Sequence, residues 1–177
     1  IQLFAGLRRS EVCALDWSEV RDDEIEVKAA KSKTRARRTV TIQPNLAAWL
    51  QPFRQITGRV FPRSEDAYNE RLNALVIAAN KQGAAEMPPL PLITWKRNCL
   101  RHTAASMLLA FLKNDNLTAL ELGHGIEVLH RHYKGLVGKV EAARYWSLAP
   151  GAVSPIERID SAGQGTLDLP ALHAVES

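Results

Sequence analysis

Two short stretches of strict alternation interrupt a chain otherwise patterned for helices. Glu24-Ile25-Glu26-Val27 and Arg38-Thr39-Val40-Thr41-Ile42 place polar and apolar residues by turns, the period of a half-buried strand. A basic link joins them, so the pair predicts a β-hairpin, and residues 17–20 are expected to add a third strand. The other apolar positions recur at helical spacing. Residues 1–5 end a helix with Gly6 as its C-cap. Ser10 is expected to cap the next helix, with Glu11 where the helix dipole favours an acid. Pro44 suits the first turn of a helix running to about Ile56. Ser64 caps another through Asn80, with Leu72, Leu75, Val76 and Ala79 on one face. Residues 87–92 carry three prolines and form a connector. A helix from about Cys99 has Leu100, Ala104, Met107, Leu108 and Phe111 as its apolar stripe, and short helices follow at about 117–122, 126–132 and 140–146. The expected fold class is α+β, mainly helical, with a small three-stranded antiparallel sheet. After Pro150 periodicity fades. Residues 150–177 read as a linker-like tail ending in a docking segment near 167–175.

The 177 residues suffice for one domain with a real core, and 46% hydrophobic with 24% charged content is globular. No apolar run approaches the roughly 20 residues of a membrane span, so no membrane partner is expected. Residues 1–6 lack the basic region and cleavage site of a signal peptide, and Ile1 in place of a methionine reads as an excised piece. Cys13 and Cys99 form no CxxC pair and fit buried thiols in a reducing compartment. Charge is unevenly spread. Residues 1–150 hold 22 Lys and Arg against 15 Asp and Glu, or +7, whereas residues 151–177 hold one Arg against four acids. A basic body with an acidic tail suits a polyanion-binding surface.

Four segments carry the chemistry, in order. The first is Gly6-Leu7-Arg8-Arg9-Ser10-Glu11. The second is the hairpin link, where Lys28, Lys31, Lys33, Arg35, Arg37 and Arg38 give six basic residues and no acid. The third is Leu100-Arg101-His102-Thr103. The fourth is Leu122-Gly123-His124, with Tyr133 nine positions further on. Guanidiniums present a planar fork to phosphate oxygens, and a tyrosine can attack a phosphorus. His124, His130 and His132 do not make a zinc site, since His130 and His132, two apart, face differently on a helix and no Cys or Asp completes a known spacing. No Walker, dinucleotide or Gly-x-Ser-x-Gly motif is present.

Together these segments resemble the catalytic domain of the tyrosine recombinases, the phage integrase family, over residues 1–150. The resemblance implies the tyrosine-recombinase catalytic-domain fold over residues 1–149, without the upstream core-binding domain that the family usually carries. Arg8 and Arg101 match the two catalytic arginines, His124 the third-box histidine, and Tyr133 the nucleophile. Lys31 best matches the lysine that protonates the departing 5′ oxygen, with Lys33 as its rival. Glu11 orients the first turn, and His102 stands behind the reacting groups. Lys28, Lys33, Arg35, Arg37 and Arg38 are expected to grip backbone phosphates. One position departs from the family: Asn98 stands three residues before Arg101, where His or Lys is usual, and an amide brings no charge. Lys96 and Arg97 are candidates for the missing cation.

The resemblance implies site-specific DNA strand cleavage and rejoining through a 3′-phosphotyrosyl intermediate, in DNA recombination or integration. It implies no metal or other cofactor, double-stranded DNA as partner, a tetramer on DNA in the full-length protein, and a cytoplasmic, nucleoid-associated setting of prokaryotic or phage type, as for a mobile genetic element. Two alternatives share some of these features. One is a type IB topoisomerase-like relaxing enzyme, and the other a DNA-binding module whose catalysis Asn98 has weakened.

Overall fold

The computed structural model describes residues 1–31, 37–133 and 135–151. In chain order the helices are α1 (Gln2–Ala5), α2 (Arg9–Ala14), α3 (Pro44–Leu50), α4 (Glu65–Ala84), α5 (Cys99–Leu112), α6 (Asp115–Leu122), α7 (Ile126–His132) and α8 (Lys139–Trp146). Strands β1 (Glu24–Val27) and β2 (Arg38–Thr41) pair antiparallel, Glu24 opposite Thr41 and Val27 opposite Arg38. The fold is thus mainly helical α+β. Among the described residues no helix is long and apolar enough to cross a membrane.

The expected third strand is not formed. Residues Trp17–Glu19 wind into a 3₁₀ turn, and only Val20 bridges to Ile25. The cause is local. The Asp16 carboxylate accepts from the Ser18 N–H at 3.0 Å, and Glu19 accepts from the Asp16 N–H at 2.9 Å, bonds that draw the backbone away from a ladder. The start of α2 also differs. Arg8, not Ser10, is its N-cap, because the Glu11 carboxylate reaches back to the Arg8 N–H at 2.8 Å. Helix α3 stops at Leu50 rather than near Ile56 and passes into the turn Gln51–Phe53, since Pro52 has no N–H for the next helical bond. Ser64 caps α4 as expected, through the Ala67 N–H at 3.2 Å, but the helix continues to Ala84. Its apolar stripe is only half covered, and Leu75 remains 65% exposed.

Two apolar cores result. One gathers Leu7, Val12, Leu15 and Trp17 with Ile25, Val27, Val40 and Ile42 of the hairpin and Leu46 of α3. The other gathers Ala105, Leu108 and Leu109 of α5 with Leu122, Leu129, Tyr145 and Trp146. Phe4 packs against both. The buried face of α5 is Arg101, Ala104, Ala105, Leu108 and Leu109, one position round from the expected stripe, because α5 lies among α1, α6 and α8. Burying that face takes Arg101 inward with the aliphatic residues. Cys13 is buried and Cys99 half-buried, both as free thiols. Tyr145 and Tyr68 are packing residues, bonded to the Leu3 carbonyl and, at 3.0 Å, to Gln2.

Candidate active site

The site forms where chain turns from both cores converge, and glycine permits two of those turns. Gly6 ends α1 in the left-handed region (φ 64°), and a Cβ there would meet Leu122 Cδ2 at 2.6 Å. Gly123 ends α6 in the same region (φ 60°), and a Cβ there would meet the Arg38 side chain at 3.1 Å. Left-handed backbone is costly for residues with a Cβ. The Gly-Leu-Arg and Leu-Gly-His motifs therefore begin as backbone requirements, and each turn delivers the functional residue that follows it.

Arg101, only 4% exposed, donates from its two Nη atoms to the carbonyls of Gly6 and Leu122. It thereby joins both turns. Burial, reinforced by the nearby positive charge of Arg8, lowers its guanidinium to about 10, so it remains a cation at neutral pH. Arg8 donates to Glu11 Oε1 at 2.9 Å and to the Gly123 carbonyl at 3.1 Å. Burial alone would raise the Glu11 carboxyl. Hydrogen bonds from Arg38 and from the Arg8 backbone, with the Arg38 charge, hold it below its ordinary value instead, so it is ionised.

Tyr133 follows α7 and is buried, with its hydroxyl 2.6 Å from His102 Nδ1. Burial raises the phenol, against the opposing pull of Arg101. His102 is lowered by burial and by Arg101 and His132, which favours the neutral ring that can accept the phenol proton. The His124 ring stacks on Tyr133, with centroids 5.8 Å apart and planes 9° from parallel. Burial, Arg101 and Arg8 lower His124 to about 4, so it is neutral at physiological pH, and its Nδ1 is buried without a hydrogen-bond partner among the described residues. A cavity of about 300 Å³ is lined by Arg8, Arg101, His102, His124 and Tyr133 together with Arg97 and Asn98. Guanidiniums, imidazoles and a phenol around one cavity suit a phosphate ester attacked by the phenol oxygen.

Residues 1–133 match the phage integrase family. The chain belongs to that family. No curated protein and no solved structure matches it. Membership points to DNA recombination and integration by a DNA-binding protein of the tyrosine recombinase type.

Within this phage integrase domain, Arg8, Asn98, Arg101, His102, His124 and Tyr133 all line the one cavity. His102, expected to stand behind the reacting groups, bonds the tyrosine hydroxyl itself. Asn98 sits at the N-cap of α5 with φ 61° and makes no side-chain cap bond. Asparagine tolerates that left-handed backbone, which gives a conformational reason for its presence there. Of the two candidate cations beside it, Arg97 lines the cavity.

The basic link divides. Lys28 is exposed and paired with Glu19 at 2.9 Å, and Arg37 is exposed and paired with Glu26 at 3.0 Å. Arg38 is not the phosphate-gripping residue that was expected. It is 8% exposed and binds both oxygens of Glu11, at 3.0 and 2.8 Å, and the Glu121 carbonyl at 3.0 Å. The signal was present in the alternation, for Arg38 shares its parity with the inward Val40 and Ile42. Lys33, Arg35 and the Lys31 side chain lie outside the described residues; the Lys31 backbone closes the short turn Ala29–Lys31.

Proposed function

We propose that this chain cleaves and rejoins DNA strands at specific sites through a 3′-phosphotyrosyl intermediate, with residues 1–149 as the catalytic domain. The Tyr133 oxygen attacks the scissile phosphorus, the bond to the 5′ oxygen breaks, and the tyrosine proton passes to His102. Arg8 and Arg101 neutralise the charge that builds on the non-bridging oxygens. His124, neutral and with Nδ1 turned into the protein, offers Nε2–H to the same phosphate. A lysine of the 28–38 link, Lys31 or Lys33, protonates the departing 5′ oxygen, and exposed Lys28 and Arg37 contact backbone phosphates. A 5′ hydroxyl on a partner duplex reverses the steps, which calls for several copies of the protein on two duplexes. The bond energy stays in the phosphotyrosine, so no nucleotide is consumed.

The observation that carries this reading is the Tyr133 hydroxyl at 2.6 Å from His102 Nδ1, in the same cavity as Arg8, Arg101 and His124. A nicked suicide substrate traps the covalent species and tests it. The parent should give a protein–DNA adduct mapped to Tyr133, and Tyr133→Phe should bind DNA without forming one. An adduct that persists in Tyr133→Phe would sink the assignment. Relaxation of a supercoiled plasmid without strand exchange would favour the topoisomerase-like alternative, and specific DNA binding by a parent that never forms adduct would favour the binding module.

A further inference from the structure

Among the described residues Glu11 is the carboxylate hydrogen-bonded to both Arg8 and Arg38, and its two oxygens are shared unequally. Arg38 takes both of them with its two Nη atoms, at 3.0 and 2.8 Å, in the fork geometry of a bidentate pair. Arg8 has Oε1 through a single Nη at 2.9 Å and Oε2 through its backbone N–H at 2.8 Å. Arg38 and Glu11 are both buried, whereas the Arg8 side chain keeps 20% of its surface open to the cavity. The third Arg38 donor, Nε, reaches the Glu121 carbonyl, and its aliphatic part lies against Gly123. One side chain thus spans the hairpin, the turn after Arg8 and the turn before His124.

We propose that Arg38 is a positioning residue for phosphate binding: it neutralises Glu11, which keeps the Arg8 charge available to the phosphate. The proposal rests on the reading of the site given above. The charge count gives the reason. Among the groups that meet here, Arg8, Arg38 and Arg101 bring three positive charges and Glu11 one negative. With Arg38 spent on Glu11, Arg8 and Arg101 face the cavity without a carboxylate of their own; of the other charged groups that line it, Arg9 and Glu65 pair with each other at 2.9 Å and Arg97 adds a further guanidinium. Without Arg38, the ionised Glu11 has Arg8 alone as its guanidinium partner among the described residues. The nearest available response is for Arg8 to close on Glu11 with both Nη atoms and withdraw from the cavity.

That mechanism predicts a suppressor. Arg38→Met leaves a carboxylate that captures Arg8. Adding Glu11→Gln removes the captor and also the buried unpaired charge, so the double variant should fold at least as well as Arg38→Met. Four proteins are compared: parent, Arg38→Lys, Arg38→Met and Arg38→Met with Glu11→Gln. Single-turnover cleavage of the suicide substrate at saturating protein is measured, with DNA affinity, thermal melting and binding of inorganic phosphate followed by the arginine Nε–H NMR signals. Arg38→Met should cleave about a hundredfold more slowly with affinity changed less than threefold, Arg38→Lys should fall between, and the double variant should recover at least tenfold over Arg38→Met. Should Arg38→Met not fold, the folded double variant still decides, and it should lie within about tenfold of the parent. A folded double variant as slow as Arg38→Met would reduce Arg38 to a structural role. A normal saturated rate with lost affinity and a shallower salt dependence would make Arg38 a DNA contact. Either result overturns the proposal. Phosphate binding should follow the same order whether or not adduct forms, so a parent that binds phosphate in this order but gives no adduct refutes strand cleavage and leaves the Arg38 assignment standing.

Discussion

Substituting Gly6 by alanine should damage both stability and chemistry, and the size of each effect can be worked from the turn. Gly6 has φ 64°, a conformation that costs an L-residue about 1–2 kcal/mol. The added Cβ would stand 2.6 Å from Leu122 Cδ2 and 3.4 Å from Ala104 Cβ. Leu122 is 1% exposed and has no solvent side to turn to, so relieving this overlap costs about 1–3 kcal/mol. Together the terms come to about 2–5 kcal/mol, or a fall in Tm of roughly 5–15 °C for a domain of this size. The carbonyls of Gly6 and Leu122 are the two acceptors of Arg101, so displacing either residue tilts the guanidinium. Losing about 1.4 kcal/mol of transition-state stabilisation there would slow cleavage roughly tenfold. Urea denaturation measures the first effect. Single-turnover cleavage at a temperature where both proteins are folded measures the second. Gly6→Asn separates the contributions, because asparagine tolerates the backbone but still carries a Cβ. If Gly6→Ala came within about 0.5 kcal/mol of the parent, the span usual for an ordinary surface substitution, the tight packing argued for this turn would be wrong.

Three further predictions address the site. The ordinary histidine value of 6.5 falls to about 4 for His124, so the unfolded chain binds that proton first. The stability it contributes is complete above pH 6.5 and is lost as pH falls towards 4, on the order of 3 kcal/mol. Stability measured by urea across that window should therefore change less steeply in His124→Gln, and parallel curves would remove His124 as the cause. Asn98→His, which keeps a residue suited to left-handed backbone, should gain about 1 kcal/mol in the transition state, near fivefold in single-turnover rate. Asn98→Ala should be slower than the parent at unchanged DNA affinity, and equal rates would make Asn98 a bystander. In the proposed mechanism the two guanidiniums, not a metal, neutralise the phosphate, so cleavage should survive excess EDTA. Abolition by EDTA with rescue by magnesium would contradict that account.

Local physics made much of this protein legible in its sequence. The alternation at 24–27 and 38–42 marked the hairpin, since a period of two has one structural meaning. Gly6, Ser64 and Pro44 marked helix ends because left-handed backbone, N-cap hydrogen bonding and a missing N–H are properties of single residues. The order and spacing of Arg8, Arg101, His124 and Tyr133 marked the family before any distance was known. Contacts between distant segments were decided only by the tertiary structure. The 17–20 segment has strand-like residues, but Asp16 and Glu19 tie it into a turn. Nothing near His102 in sequence announces that its Nδ1 meets the Tyr133 hydroxyl, because 31 residues separate the two. Arg38 shows the difference most clearly. Its place in a basic run suggested a solvated phosphate contact, while its parity in β2 pointed inward. A charged side chain accepts the inward position only where a counter-charge waits. Glu11, 27 residues away, is that counter-charge, and only the packing of hairpin, α2 and α6 brings it there.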